Sequence, residues 1–102
     1  MTLHQMEIFA AIVEAGSFSK AATKLYVAQP SLSQQMRSLE EELGERLLFR
    51  MRNKRMHVTE AGEVFKKHSD HILRQVQILR MEMSGLAKNP SGNIRVGIGD
   101  TN

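Results

Sequence analysis

The 102-residue sequence contains no cysteine and no tryptophan, and its aromatic residues are four phenylalanines and one tyrosine. Without cysteine the chain has no disulfide framework, no thiolate metal site and no cysteine nucleophile. With so few aromatics, its core must consist mainly of aliphatic side chains and methionine. No apolar run is long enough to span a bilayer, and no signal peptide is recognisable. A chain of this length holds one small domain, with or without an extension.

Acidic residues are absent from two stretches, from Ala15 to Leu39 and from Arg46 to Thr59. The basic residues of the second stretch are Arg46, Arg50, Arg52, Lys54 and Arg55. The net charge of +3 and the pI of about 9.6 are weak indications of a nucleic-acid partner. The segregation of charge says more, because it predicts one positive surface that faces a polyanion. Taken alone, the second stretch would be a solvated basic hairpin.

Residues 18–43 predict a short helix, a turn and a longer amphipathic helix. The apolar positions of the longer helix recur at spacings of four, three and four and share one side, namely Leu32, Met36, Leu39 and Leu43. Its opposite side carries Pro30, Ser33, Gln34 and Arg37, with Glu41 at the far end. This polar side can hydrogen-bond to bases and phosphates. The pattern predicts a helix-turn-helix with its recognition helix from about Pro30 onward.

Local signals set the ends of the recognition helix. Pro30 suits its first position, where a missing N–H costs nothing, and disfavours helix at Gln29. Gly44 is the predicted left-handed residue that ends the helix. The acidic run from Glu40 to Glu42 near this end opposes the helix dipole and keeps that end away from phosphate.

A first helix is predicted for residues 2–15. Its apolar stripe consists of Leu3, Met6, Phe9, Ala10 and Val13, widened by Ile12. Thr2 is the predicted N-cap, and Gly16 is the predicted left-handed residue that ends the helix. Ser17 is placed to cap the next helix.

Residues 47–58 predict a two-stranded hairpin with a polar, basic tip. Apolar residues anchor its first strand, and apolar and polar residues alternate in Met56, His57 and Val58. A basic hairpin directly after a recognition helix is the wing of a winged helix-turn-helix. Such a wing can reach a neighbouring minor groove, where arginine is favoured.

Thr59 is the predicted N-cap of a long helix from Glu60 to about Lys88. From Ile72 on, its apolar residues alternate spacings of four and three, as in a heptad seam. Such a helix is about 43 Å long, more than a small domain can bury. We therefore expect its outer half to pair with the same helix of a second chain, although its first two turns can fold back on their own domain. Residues 89–92 are predicted to form a linker, and residues 94–98 are predicted to form the first strand of a missing C-terminal domain.

These motifs occur in the order typical of LysR-type transcriptional regulators, and the sequence resembles the N-terminal part of that family over essentially its whole length. The matching elements are, in order, Phe9 with residues 15–18, residues 21–22 with Leu25, and residues 29–33, 39–44, 47–50, 59–62 and 92–97. The resemblance implies a mostly α fold with a winged helix-turn-helix DNA-binding domain at residues 1–58. It also implies a linker helix at 59–88 that forms an antiparallel dimer. Residues 89–102 would be a hinge and the first strand of an effector-binding domain.

In functional terms, the resemblance implies a sequence-specific regulator of transcription that binds double-stranded DNA as a homodimer and assembles into a tetramer at full length. It implies a bacterial, cytoplasmic and nucleoid-associated protein. RNA polymerase is a candidate partner, and a membrane is not. A small-molecule effector is expected for the C-terminal domain, whereas no cofactor is expected for this chain.

Carried over to this sequence, the family's candidates for base contacts in the major groove are Gln29, Pro30, Ser31, Ser33 and Gln34. Many relatives have arginine at the position of Gln34, and glutamine would favour adenine over guanine. Cap and edge residues are better placed for phosphates, namely Ser17, Ser19, Lys20, Thr23, Arg37 and Arg50. In the wing, Met51 replaces the family's arginine, so the candidates for the minor groove are Arg52 and then Lys54. The expected dimer interface consists of Phe65, Ile72, Val76, Leu79, Met83 and Leu86.

Two other classes of function have weaker support. A helical adaptor module that binds an acidic protein would also have a basic surface, but the cap, turn and wing signals agree on a DNA-binding domain. No catalytic site is expected, because the sequence lacks a phosphate-binding glycine loop and a Ser-His-acid grouping. His68 and His71 share one helical face near Asp70 and could contribute to a metal site. We expect a structural role for this pair and no metal.

Overall fold

The computed structural model describes residues 1–50 and 55–88 of the chain. Its elements are α1 (Leu3–Ala15), α2 (Phe18–Leu25), α3 (Gln29–Leu43), β1 (Leu48–Arg50), β2 (Met56–Val58) and α4 (Glu60–Lys88). Helices α1 to α3 enclose the core, the antiparallel hairpin of β1 and β2 follows α3, and α4 continues outward. The predicted winged helix-turn-helix with a long final helix is therefore confirmed. The predicted wing tip at 52–54 and the predicted hinge and strand at 89–102 lie outside the described residues.

Helix α1 is the central element of the fold, and its buried surface differs from the predicted stripe. It contacts α2, α3, α4 and β2, so more than one side of it is covered. Ile8 and Ala11 are buried, although the stripe omitted them, whereas Leu3 is 42% exposed. Ala10 is only half-buried. The prediction was wrong at these positions because a single stripe assumes a helix that packs on one side.

The predicted local signals at both ends of α1 and at the start of α2 are confirmed. The hydroxyl of Thr2 accepts a hydrogen bond from the backbone N–H of Gln5, and the Gln5 side chain accepts one from that of Thr2. This capping box pairs two N–H groups that a helix leaves without partners. Ser17 caps α2 through the N–H of Lys20. Gly16 adopts the left-handed conformation at φ 82°, where a side chain would be strained.

Helix α3 begins at Gln29, one residue earlier than predicted. Pro30 therefore occupies its second position, where the missing N–H still costs nothing because the first four N–H groups of a helix have no internal partner. Leu32, Met36 and Leu39 are buried as predicted, but Leu43 is 38% exposed. Leu43 instead lines an apolar groove that also includes Met6 of α1.

In the hairpin, Leu48 pairs with Val58 and Phe49 with His57. Val58 is half-buried against the core and His57 is exposed, which confirms the predicted alternation. The hydroxyl of Thr59 accepts a hydrogen bond from the N–H of Gly62 and so caps α4. Within residues 1–50 and 55–88, no helix is both long and apolar enough to cross a membrane.

Candidate nucleic-acid interface

The outer side of α3 is the polar surface that the sequence predicts. Pro30, Gln34 and Arg37 are exposed, and Ser33 is half-buried. Together with Gln29 they line a shallow depression along the first turns of the helix. Four of the five predicted base-contact residues therefore lie side by side. The fifth, Ser31, is exposed but lies outside this depression.

The N-terminal end of α3 favours an anion. Ala28 is its N-cap residue and makes no side-chain cap, and the first turn contains no acidic residue. The partial positive charge at this end of the helix is therefore not neutralised by the protein in these positions. Backbone N–H groups at a helix N-terminus are suitable donors to a phosphate group.

Most of the predicted phosphate contacts cluster on α2. Ser19 and Lys20 are exposed, and Ser17 is half-buried, with its oxygen already accepting a hydrogen bond at 3.1 Å. A serine hydroxyl in that position retains its proton for donation to a phosphate. The Thr23 hydroxyl instead donates to the carbonyl of Ser19 at 3.2 Å. A phosphate would have to compete with that bond for the Thr23 proton.

A neighbouring lysine on α2 is already paired. Nζ of Lys24 lies 2.6 Å from Oε1 of Glu14 on α1. The hydrogen bond and the charge of Lys24 lower the pKa of the Glu14 carboxyl from its ordinary value. Because this pair is neutral as a whole, Lys20 carries more of the positive field of α2 than Lys24 does. Arg37, on α3, is exposed, whereas the side chain of Arg50 and the wing residues Arg52 and Lys54 lie outside the described part of the chain.

The exposed side of α4 carries most of the predicted dimer residues. Leu79, Met83 and Leu86 are 57%, 57% and 62% exposed, which is high for side chains of this size. Ile72 is 38% exposed and Val76 is half-buried. Phe65 differs, because its ring packs on the core of its own chain. At the inner end, an apolar groove extends this surface and includes Met6, Leu43, Val64, Phe65 and Ile72.

Glu40 is a residue of the site whose role the sequence analysis missed. Its side chain is only 15% exposed, and its carboxylate accepts hydrogen bonds from two backbone N–H groups where the wing begins. In the sequence it is one of three consecutive acids, which are expected to keep this end of the helix away from phosphate. A signal was available, since Glu40 follows Met36 by four residues and therefore lies near the buried side of α3. An acid in such a position requires hydrogen-bond donors.

The paired histidines are exposed on α4. In residues 1–50 and 55–88, no group of three or more histidine, cysteine or acidic side chains is arranged to hold a metal ion. Two imidazoles on one helix supply only part of a zinc coordination shell. His68 instead borders the apolar groove described above.

Known proteins share both the sequence and the shape of this chain. A probable RuBisCO transcriptional regulator from Thalassiosira pseudonana is 43% identical over 98% of this chain and 32% of its own length. The HTH-type transcriptional activator CmpR from Synechocystis sp. is 41% identical over 93% of this chain and 31% of its own. The chain therefore spans about a third of the length of these curated relatives.

Among solved structures, the BenM DNA-binding domain in complex with catB site 1 DNA superposes with a TM-score of 0.82. It is 38% identical, over 92% of this chain and 100% of that one. The CbnR DNA-binding domain in complex with DNA gives a TM-score of 0.77 at 33% identity, over 85% and 99%. The model of the bacterial regulatory helix-turn-helix proteins of the lysR family matches residues 3–63. With its recognition helix, hairpin and long α4 arranged as in these relatives, the chain belongs to the LysR family of transcriptional regulators.

Proposed function

We propose that this chain is the DNA-binding part of a transcriptional regulator, and that it reads double-stranded DNA as a homodimer. The observation that carries the proposal is the outer side of α3, which is polar, uncapped at its N-terminus and free of acids in its first turn. This side belongs to a fold that superposes on the BenM domain solved with DNA. A helix in that position can enter the major groove, since B-DNA admits one α-helix there.

The residues divide into two groups by their role. Gln29, Pro30, Ser33 and Gln34 would face base edges, because they line one surface at the start of α3. Lys20 and Arg37, both exposed, would neutralise phosphates on either side of the groove. The second group positions the domain on the duplex, and the first group supplies sequence preference.

The second copy would be bound through α4. Residues 72–86 expose a continuous row of large apolar side chains, which a single chain leaves in water. Burial of apolar area is worth roughly 25 cal/mol per Å², and a heptad seam allows two such helices to interlock. A dimer places two recognition helices on one duplex, so its two half-sites would lie about 34 Å apart or a multiple of that.

The remaining part of the protein would carry the regulatory input. The full-length LysG structure with bound effector Arg superposes on this chain over 29% of its own length, at 27% identity. By analogy, a C-terminal domain after α4 would bind a small-molecule effector and allow assembly into a tetramer. We propose a location in the bacterial cytoplasm at the nucleoid, with RNA polymerase as a further partner.

Selection of random duplexes on the purified chain tests this function. We expect an enriched motif with two related half-sites, and a mobility shift that random duplex DNA competes for only at large excess. If random duplex DNA competes as well as the enriched motif does, the chain binds DNA without sequence preference. If no duplex is retained at low salt, the DNA-binding proposal is wrong. An acidic protein partner would then be the better explanation of the basic surface.

A further inference from the structure

The carboxylate of Glu40 holds the backbone at the point where the chain leaves α3 and enters the wing. Its Oε2 accepts hydrogen bonds from the N–H groups of Leu47, at 2.7 Å, and Leu48, at 3.1 Å. Its Oε1 lies 3.7 Å from Nε of Arg46. Hydrogen bonds to an ionised acceptor are about twice as strong as those between neutral groups. The first residues of the wing are therefore tied directly to the recognition helix.

The same short segment is held from its other side by the start of α4. The N–H of Thr59 donates to the carbonyl of Leu47 at 3.0 Å, and the Thr59 hydroxyl donates to the carbonyl of Arg46. Gly62 allows this close approach, because a Cβ there would lie 2.2 Å from the Leu47 carbonyl oxygen. In residues 46–48, two N–H groups therefore bond to α3, and two carbonyls bond to Thr59 at the start of α4.

Apolar burial explains why this segment stays in place but not why it points in one direction. Leu47 and Leu48 are 1% and 3% exposed, and the hydrophobic effect that buries them is non-directional. Hydrogen bonds, in contrast, weaken steeply when their angle departs from linear. The two bonds to Glu40 are therefore the directional contacts that tie β1 to α3, while the bonds from Thr59 tie the same segment to the start of α4.

We propose that Glu40 is a positioning residue for the wing, and that it aligns the hairpin with the recognition helix so that both reach DNA at the same time. The proposal rests on the DNA-binding function proposed above. A strand of three residues is about 10 Å long, so a tilt of about 10° at its base moves its far end by roughly 2 Å. A displacement of that size is enough to break a hydrogen bond to a phosphate.

Three variants with the same change of charge test this role. Glu40→Ala removes the acceptor, and Glu40→Gln keeps one oxygen that can receive the two N–H groups. Glu41→Gln is the matched control, because Glu41 is the next residue on the same helix and is exposed. Each variant loses one negative charge. The general gain in attraction to DNA cancels in the comparison of Glu40→Ala with Glu40→Gln, which share one position, and Glu41→Gln shows the effect of losing one charge at the neighbouring residue.

The measurements use the unchanged chain and its variants on a duplex selected with the unchanged chain. Affinity comes from fluorescence anisotropy, hydroxyl-radical cleavage reports the minor groove, and methylation of guanine N7 reports the major groove. Relative to Glu41→Gln, we expect Glu40→Ala to bind about tenfold more weakly, as for one charged hydrogen bond to a phosphate that the displaced wing no longer makes. It should lose minor-groove protection beside the recognition site while its major-groove protection persists. The affinity and the minor-groove protection of Glu40→Gln should lie between those of Glu40→Ala and Glu41→Gln.

The role would be overturned if Glu40→Ala and Glu41→Gln gave equal affinities and footprints below their melting temperatures, even with a lower melting temperature for Glu40→Ala. It would also be overturned if protection in both grooves fell in parallel. Should Glu40→Ala fail to fold, Glu40→Gln decides the matter by the same two criteria. If the unchanged chain protects no duplex, the DNA-binding function itself is wrong. If it protects both grooves and the Glu40 variants match the control, only the positioning role is wrong.

Discussion

The ring of Phe65 on α4 packs edge-on against the ring of Phe9 on α1, with centroids 5.0 Å apart and planes at 80°. Phe9 is fully buried and Phe65 half-buried, so this contact docks the long helix onto the domain. An aromatic pair of this geometry is worth about 1 kcal/mol beyond the area that it buries. The direction in which α4 leaves the domain therefore depends on a specific pair and not only on general apolar contact.

A double-mutant cycle should detect that pair. With Phe9→Leu and Phe65→Leu we expect a coupling of about 1 kcal/mol in the free energy of unfolding, measured by urea denaturation at one protein concentration. Lys67→Ala, at an exposed position of α4, should change stability by less than about 0.5 kcal/mol. A coupling near zero would mean that the edge-on geometry adds nothing to burial.

The two glycines of α4 should respond to alanine in opposite directions. At Gly62 a Cβ would lie 2.2 Å from the Leu47 carbonyl oxygen and 2.6 Å from Cγ1 of Val58. Gly62→Ala should therefore destabilise by about 1–3 kcal/mol, as overpacking does. A Cβ added at Gly85 would have no neighbouring atom within 4 Å. Gly85→Ala should therefore stabilise the helix by up to about 1 kcal/mol. Thermal melts followed by circular dichroism, at several protein concentrations, check both signs, and destabilisation by both would contradict the geometry.

Disruption of the exposed seam should separate the dimer. Leu79 is 57% exposed in the single chain, and Leu79→Glu would bury a charge between two copies, which is costly without a partner. We expect monomers for this variant and dimers for the unchanged chain in sedimentation equilibrium. Gln77→Glu introduces the same charge about 160° away around the helix and should leave the dimer intact. Dimers that persist in Leu79→Glu would place the interface elsewhere.

The predicted preference of Gln34 for adenine can be tested by a single substitution. Gln34 is exposed at the start of α3, and its amide can pair with N6 and N7 of adenine, whereas arginine pairs with O6 and N7 of guanine. Selection with Gln34→Arg should therefore replace one adenine of the motif by guanine and leave the other positions unchanged. Gln35→Arg, at a half-buried position, is the control and should not produce that replacement. An unchanged motif in Gln34→Arg would remove Gln34 from the base contacts.

The two lysines of α2 should differ in their contribution to salt dependence. Lys20 is exposed in the first turn of α2, and Lys24 is paired with Glu14. Each phosphate that a cation neutralises contributes about −0.9 to the slope of log affinity against log salt. We expect Lys20→Ala to flatten the slope by about that amount and Lys24→Ala to leave it nearly unchanged. Equal slopes for the unchanged chain and Lys20→Ala would exclude a phosphate contact at Lys20.

The sequence by itself determined the features that depend on neighbouring residues. Thr2, Ser17 and Thr59 cap their helices as predicted, since a cap uses only N–H groups two or three residues away. Gly16 and Gly44 end theirs because a left-handed residue is needed at that point. The polar side of α3 and the unburied length of α4 also follow from periodicity and length alone.

The tertiary structure decided whatever depends on elements that are distant in the chain. Helix α1 is covered by four elements, so its buried residues could not be read from one stripe. Phe65 finds its partner 56 positions away in Phe9, although it stood among the residues expected at the interface with a second chain. Glu40 belongs to an acidic run by sequence, yet its carboxylate is enclosed by the backbone of the wing. Periodicity reports which side of a helix is apolar, but it does not report which donors the fold brings to a given side chain.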